Sequence, residues 1–317
     1  MNQTTLQPPL AVSSNLLLMY SLGTVFQLLI IISILKNTNW THNNPGLVLI
    51  VSLACSDILN TIPCAFGSLE SLLGNHLFTL SPQVIGYVTC LGWSCTALHM
   101  NALAFNRLVG VCLPVQFSTI CSTRNTLYVI ALCWLLSVTQ ATSTLILPCC
   151  YVVWEREWAM TTYHNPNNTL NHIAPVHTGL TYMCITVPVI LYTVVTSQLV
   201  RRRFCAQIHN SNPVDLKLCL QFLIIICLYT MYDASWYLFA LLDISGPVLD
   251  FIPFLGACQY TANPYIYLAF NNTIRQAVRK LIGFPQTANA APAAGARAQR
   301  SKQPTGGQLP PVNENRM

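Results

Sequence analysis

The stretch Thr261–Lys280, TANPYIYLAFNNTIRQAVRK, sets an Asn-Pro pair inside an apolar run and turns cationic directly after it. A proline within a helix removes one backbone hydrogen bond and bends the axis, which a membrane segment tolerates only where neighbouring groups satisfy the freed carbonyl. Asn263, next to Pro264, supplies a side chain able to do so. Beyond the run, Phe270, Ile274, Val278, Leu281 and Ile282 form an apolar face opposed to Arg275, Arg279 and Lys280. That pattern predicts an amphipathic helix over 270–284 lying on a membrane surface, with no cysteine after it to carry a palmitoyl anchor.

The rest of the chain supports a membrane setting. Of 317 residues 53% are hydrophobic and only 8% charged, where a soluble domain carries about a quarter charged. Seven apolar stretches, roughly 15–35, 46–69, 83–111, 126–148, 176–200, 216–241 and 248–269, are each long enough to span hydrocarbon. The fold class expected is an all-α seven-transmembrane helix bundle over 15–269, with a short extracellular segment 1–14 before it. An Ala-, Pro-, Gly- and Gln-rich cytoplasmic tail, 285–317, is too polar and small-chained to pack. With residues 1–14 outside, fourteen of the fifteen Lys and Arg residues fall in the cytoplasm and Arg156 alone falls outside. The net charge of +6 is therefore topological and does not mark a nucleic-acid surface. A multi-pass plasma-membrane protein follows, with the first span as an uncleaved anchor. Asn2 and Asn167 lie in outer glycosylation sequons. The fourteen cysteines contain no C-x-x-C, and only Cys90, Cys149 and Cys150 sit where an outer disulfide would form. The seven histidines show no paired ligand spacing, so no structural metal is expected.

Ionisable groups inside spans cost about 2.5–3.5 kcal/mol each at the bilayer centre and need a reason. Asp57, Arg107 and Asp233 are such groups, with Glu70 nearer the surface. In the sixth span Tyr229, Tyr232, Asp233, Trp236 and Tyr237 recur at i, i+3, i+4, i+7 and i+8 and share one helix face. An aromatic stripe alone would be packing; the Asp within it argues for a pocket. Trp93, His99 and Met100 of the third span and Tyr260 of the seventh are candidates to line the same ligand cavity. The outer acids Glu155, Glu157, Asp243 and Asp250 favour neutral or cationic ligands.

Taken in order, LACSD ending at Asp57, Arg107 with Pro114 seven residues on and Phe117 beyond, Trp134, Pro188, and NPYIY from Asn263 to Tyr267 resemble the rhodopsin-like G-protein-coupled receptors. FNRLVGVCLPVQF and NPYIYLAFNNTIR are most similar to the nematode serpentine chemoreceptors, class x or a related class. The resemblance implies that Arg107 is a switch arginine meeting a heterotrimeric G-protein, that Phe117 inserts into that partner, and that Tyr267 turns inward in the open state. Asn106 replaces the family's acidic neighbour of the arginine; Asp215 at the foot of the sixth span is a candidate substitute. The resemblance also implies a sodium pocket at Asp57, Thr96, Gln259 and Asn263. A protonated, hydrogen-bonded aspartate is the alternative, and Phe26-Gln27 stands where the family has Gly-Asn. The family's outer clamp cysteine is Pro82 here, which leaves a Cys90 bond to Cys149 or Cys150 as the substitute. The seventh span has no lysine, which excludes a retinal Schiff base, and Thr89 stands where amine receptors carry an aspartate.

The function implied is a receptor for a small molecule, or a peptide, that activates a G-protein. A seven-helix partner subunit without its own ligand is the alternative. A transporter would show a repeat around a midplane site, and none is found. No paired acids or activated nucleophile stand at catalytic spacing, which argues against an enzyme.

Overall fold

A computed structural model of the protein describes residues 10–36, 44–73, 81–146, 151–156, 158–164, 173–205, 213–241 and 251–284. Nine helices and one hairpin lie among the described residues: α1 (Leu10–Leu35), α2 (Pro45–Leu73), α3 (Pro82–Cys112), α4 (Phe117–Ile120), α5 (Thr123–Ile146), β1 (Tyr151–Glu155), β2 (Met160–His164), α6 (Ile173–Cys205), α7 (Pro213–Leu241), α8 (Phe251–Phe270) and α9 (Asn272–Leu281). Seven of the helices, all except α4 and α9, run 20–33 residues, which at 1.5 Å per residue is 30 Å or more. Each begins and ends within a few residues of a span expected from hydropathy.

The seven differ in what surrounds them. Among the described residues α1, α2 and α5 carry the most apolar windows, with mean hydropathy of 2.1, 1.8 and 1.7. α1 and α5 bury little of theirs, and Leu18, Leu22, Val25, Leu132 and Leu135 point outward as a lipid face would require. α3 is the opposite case. Its Thr89, Ser94, Thr96, His99 and Asn106 are all buried, so the helix is polar because neighbours wrap it. The main core runs from Ile30 and Ile34 of α1 through Leu53, Met100 and Leu103 to Tyr229, Tyr267 and Ile274.

The amphipathic helix expected after the seventh span is α9, and its contacts divide its apolar face. Asn271 caps it, accepting from the N–H groups of Thr273 (3.0 Å) and Ile274 (3.2 Å), and Arg275 donates back to the Ala269 carbonyl at 2.9 Å. Ile274, Ala277 and Val278 are buried, with Ile274 and Val278 in the main core, while Ile282 and Phe284 are exposed. The apolar face is therefore divided. Its first turns are held by protein, and only its end is left for a lipid surface.

Candidate functional site

The centre of the bundle is a polar junction on Asp57, which is fully buried on α2. Three donors converge on its two oxygens: Gln27 Nε2 of α1 at 2.9 Å and Asn263 Nδ2 of α8 at 2.7 Å on Oδ2, and Thr96 Oγ1 of α3 at 2.9 Å on Oδ1. Ser56 lies 2.9 Å from the Thr96 hydroxyl, and Asn60 Nδ2 donates to it at 3.4 Å. One carboxylate thus ties four helices, and Asn263 holds α8 there one residue before its proline. Gln259 is buried on α8 but is not among the donors. Gln27, one methylene longer than the Asn of the resembled pattern, reaches the acid. A sodium ion needs oxygen ligands. The three donors suit the hydrogen-bonded alternative, while Gln27 Oε1 and Asn263 Oδ1, buried with no hydrogen-bond partner, are oxygens of the kind an ion takes, so the residues fit both.

Beside this junction a second relay fixes α3. Trp134 Nε1 of α5 donates to Ser52 Oγ at 3.0 Å, Ser52 lies 2.8 Å from His99 Nε2, and His99 Nδ1 lies 2.7 Å from the Cys95 carbonyl. The carbonyl can only accept, so Nδ1 carries the proton and Nε2 accepts from the serine. His99 has no exposed surface and faces α2 and α5. It belongs to this relay and not to the ligand cavity where sequence reasoning placed it.

The cavity lies between α3, α6 and α7. It is narrow, and its lining includes Trp93, Ala97 and Met100 of α3, Pro188 of α6, and Tyr229 and Asp233 of α7. Three of the seven ligand candidates, Trp93, Met100 and Asp233, meet here. Tyr232 and Tyr260 do not line it: their rings form an edge-to-face pair 6.1 Å apart, with Tyr232 packed against Met160 and Ile252. Tyr260 packs among Leu16, Tyr20 and Trp154. They are the floor beneath the hairpin.

That hairpin was not foreseen from the sequence, although YVVW and MTTY are rich in the β-branched and aromatic residues that strands favour. β1 and β2 pair antiparallel from Tyr151↔His164 to Glu155↔Met160. The ring of Trp154 lies over Gly67, where a Cβ would fall 2.3 Å from it, and a Cβ at Gly86 would fall 2.0 Å from the Val152 carbonyl oxygen. Arg156 at the turn pairs with Glu70, which is buried at the end of α2. The ionisable Glu70 therefore has a structural partner. Cys90 is a free thiol packed against Ala141 and Val152, so among the described residues no disulfide fastens the hairpin.

At the opposite end Asn106 is buried and Arg107 half-buried, both beside Gly46 of α2. Pro114 is exposed. Phe117 does not project: its ring packs on Gly110 of α3, 3.4 Å from where a Cβ would be. Val115, 91% exposed, projects furthest from this loop, with Leu113 also exposed. Tyr267 is already turned inward, fully buried in the main core.

The sequence matches the family model described as "Serpentine type 7TM GPCR chemoreceptor Srx" over residues 17–271. The chain belongs to the Srx family of serpentine chemoreceptors. The fold is similar to that of squid rhodopsin, with a TM-score of 0.69 over 98% of this chain and 97% of that one. Identity is 15%, so the likeness carries the seven-helix fold and nothing about ligand. As a member of the Srx family the protein is a multi-pass membrane receptor of the G-protein-coupled class.

In this Srx receptor several sequence candidates fall outside the described residues: Asn2, Asn167, Cys149 and Cys150. Asp215 and Trp236 are placed on α7, but their side chains are likewise outside them. Residues that sequence reasoning did not place in the site are Gln27, named there only as a departure from the resembled pattern, Ser52, Asn60 and Val115. The first three carried a signal, since polar side chains within apolar spans need partners. Val115 carried none, because a lone valine in a loop is ordinary.

Proposed function

We propose that this Srx receptor binds a small ligand in the cavity between α3, α6 and α7 and activates a heterotrimeric G-protein at the end that carries Arg107. The hairpin end then faces the outside of the plasma membrane and the α9 end the cytoplasm, in keeping with the distribution of Lys and Arg. The observation that carries the reading is the Asp57 junction. It bonds α8 to α1, α2 and α3 one residue before Pro264, at the depth of the cavity, since Thr96 stands between Trp93 and Met100 on α3, with Arg107 further along that helix. A rearrangement at one end of α8 must then break or remake those bonds, which couples the two ends.

A screen of odorants and peptides with a promiscuous G-protein reporter tests the proposal. Arg107→Ala removes at least nine-tenths of the agonist response at unchanged surface expression; a response that persists assigns the coupling elsewhere. Membrane current is recorded in the same cells, and a ligand-gated current without G-protein activation would make the chain a channel.

Asn106 gives a second expectation. Asn106 stands where the resembled pattern has an acid, and Asn106→Asp places a carboxylate next to Arg107 on α3. Basal G-protein activity therefore falls severalfold in Asn106→Asp. An unchanged baseline sinks this account of the asparagine.

A further inference from the structure

Asp233 is the one acid on the cavity lining, and the proposed receptor function does not by itself say what it is for. The residue is 8% exposed, and its Oδ2 has no hydrogen-bond partner among the described residues. Around it the described lining is apolar or aromatic, and no Lys, Arg or His among the described residues contributes to it. Among the described residues no cation on the cavity wall neutralises the carboxylate. An isolated carboxylate in such surroundings is costly unless something pairs with it. The contrast with Asp57 is direct: there the chain supplies three donors from three helices, and here it supplies none to Oδ2.

The rest of the lining suits one kind of visitor. Trp93 and Tyr229 bring aromatic rings to the cavity, and ring faces attract a cation most strongly where water is excluded. Met100 adapts its shape to an apolar body, and Ala97 leaves room for one. A carboxylate excludes anions, and an alcohol would leave the acid uncompensated. We propose that the cavity takes a compact organic amine, its ammonium group on the Asp233 carboxylate and its apolar body between Trp93, Met100 and Tyr229.

The inference rests on reading the cavity as the ligand site. It is tested by direct binding, so that it can fail separately from G-protein coupling. The purified full chain in lipid nanodiscs is unfolded thermally with linear, cyclic and aryl-substituted primary amines, each set against the alcohol and the carboxylate of the same skeleton. At least one amine raises the unfolding temperature while its alcohol and carboxylate counterparts do not. Asp233→Asn, which preserves volume, weakens that amine by roughly thirtyfold or more, as for truncating one partner of a buried charge pair. Ala97→Leu, which narrows the cavity and leaves the acid in place, weakens it too and serves if the asparagine variant does not fold. An alcohol as effective as its amine, an amine effect that survives Asp233→Asn, or a panel with no active amine overturns the assignment. G-protein recruitment in the same nanodiscs separates the two claims. Amine binding without recruitment leaves the site and removes the coupling, whereas recruitment by neutral compounds alone leaves the coupling and removes the amine.

Discussion

Gly86→Ala lifts the hairpin off the bundle and destabilises the receptor by about 3 kcal/mol or more. The new methyl would stand 2.0 Å from the Val152 carbonyl oxygen and 2.4 Å from its carbon. Those atoms are strand backbone, paired across to Tyr163, and cannot swing aside as a side-chain tip would. α3 is equally fixed, wrapped by its neighbours, so strand and helix must part. Parting them also uncovers Trp154 over Gly67 and strains the Arg156–Glu70 pair. Gly179→Ala is the control: a Cβ there meets nothing within 4 Å, and alanine in a helix is favoured by roughly 0.5–1 kcal/mol over glycine. The pair is compared by thermal unfolding in nanodiscs and by surface expression. A Gly86→Ala variant as stable as Gly179→Ala would show that the hairpin does not sit on α3.

Asp57→Ala has the second large effect. It strands the amides of Gln27 and Asn263 and leaves the hydroxyl of Thr96 only Ser56 to turn to, all within fully buried residues. Each orphaned donor costs about 1–3 kcal/mol. The sum is several kcal/mol, a large part of the roughly 5–15 kcal/mol that holds a typical domain folded. Asp57→Asn is milder, because it retains one acceptor oxygen while turning an N–H₂ group toward the other donors. The same preparation decides the sodium question. With three donors already on the carboxylate, replacing sodium by N-methylglucamine leaves the unfolding temperature unchanged. A sodium-dependent rise that disappears in Asp57→Asn would put the ion back in the junction.

Much of this was legible in the sequence, for a physical reason. In a bilayer each helix must satisfy its own backbone, so span number and length show as apolar runs without knowledge of packing. The α3 run could be mistaken for a poor span, yet its buried Thr96, His99 and Asn106 are what an interior helix carries. Asp57 and Asp233 announced themselves by being ionisable where ions are costly. Helical periodicity, however, says which residues share a face and leaves open what that face meets. Tyr232 and Asp233 are adjacent in the sixth-span stripe, yet the structure sends one under the hairpin and the other to the cavity. His99, one residue from Met100, turns to Ser52 and away from the cavity.

The sequence by itself determined a seven-helix membrane receptor, the Asn263–Pro264 joint and the amphipathic helix behind it. Those follow from hydropathy, charge and proline chemistry, which are local. Tertiary structure alone decided that Gln27 rather than Gln259 serves Asp57, that Ile274 and Val278 face protein, and that Asp233 has no partner at Oδ2 among the described residues. Each of those depends on the rotation and depth of one helix against another. A change of one residue along a helix turns a side chain by about 100°, so only the packed bundle fixes which groups meet.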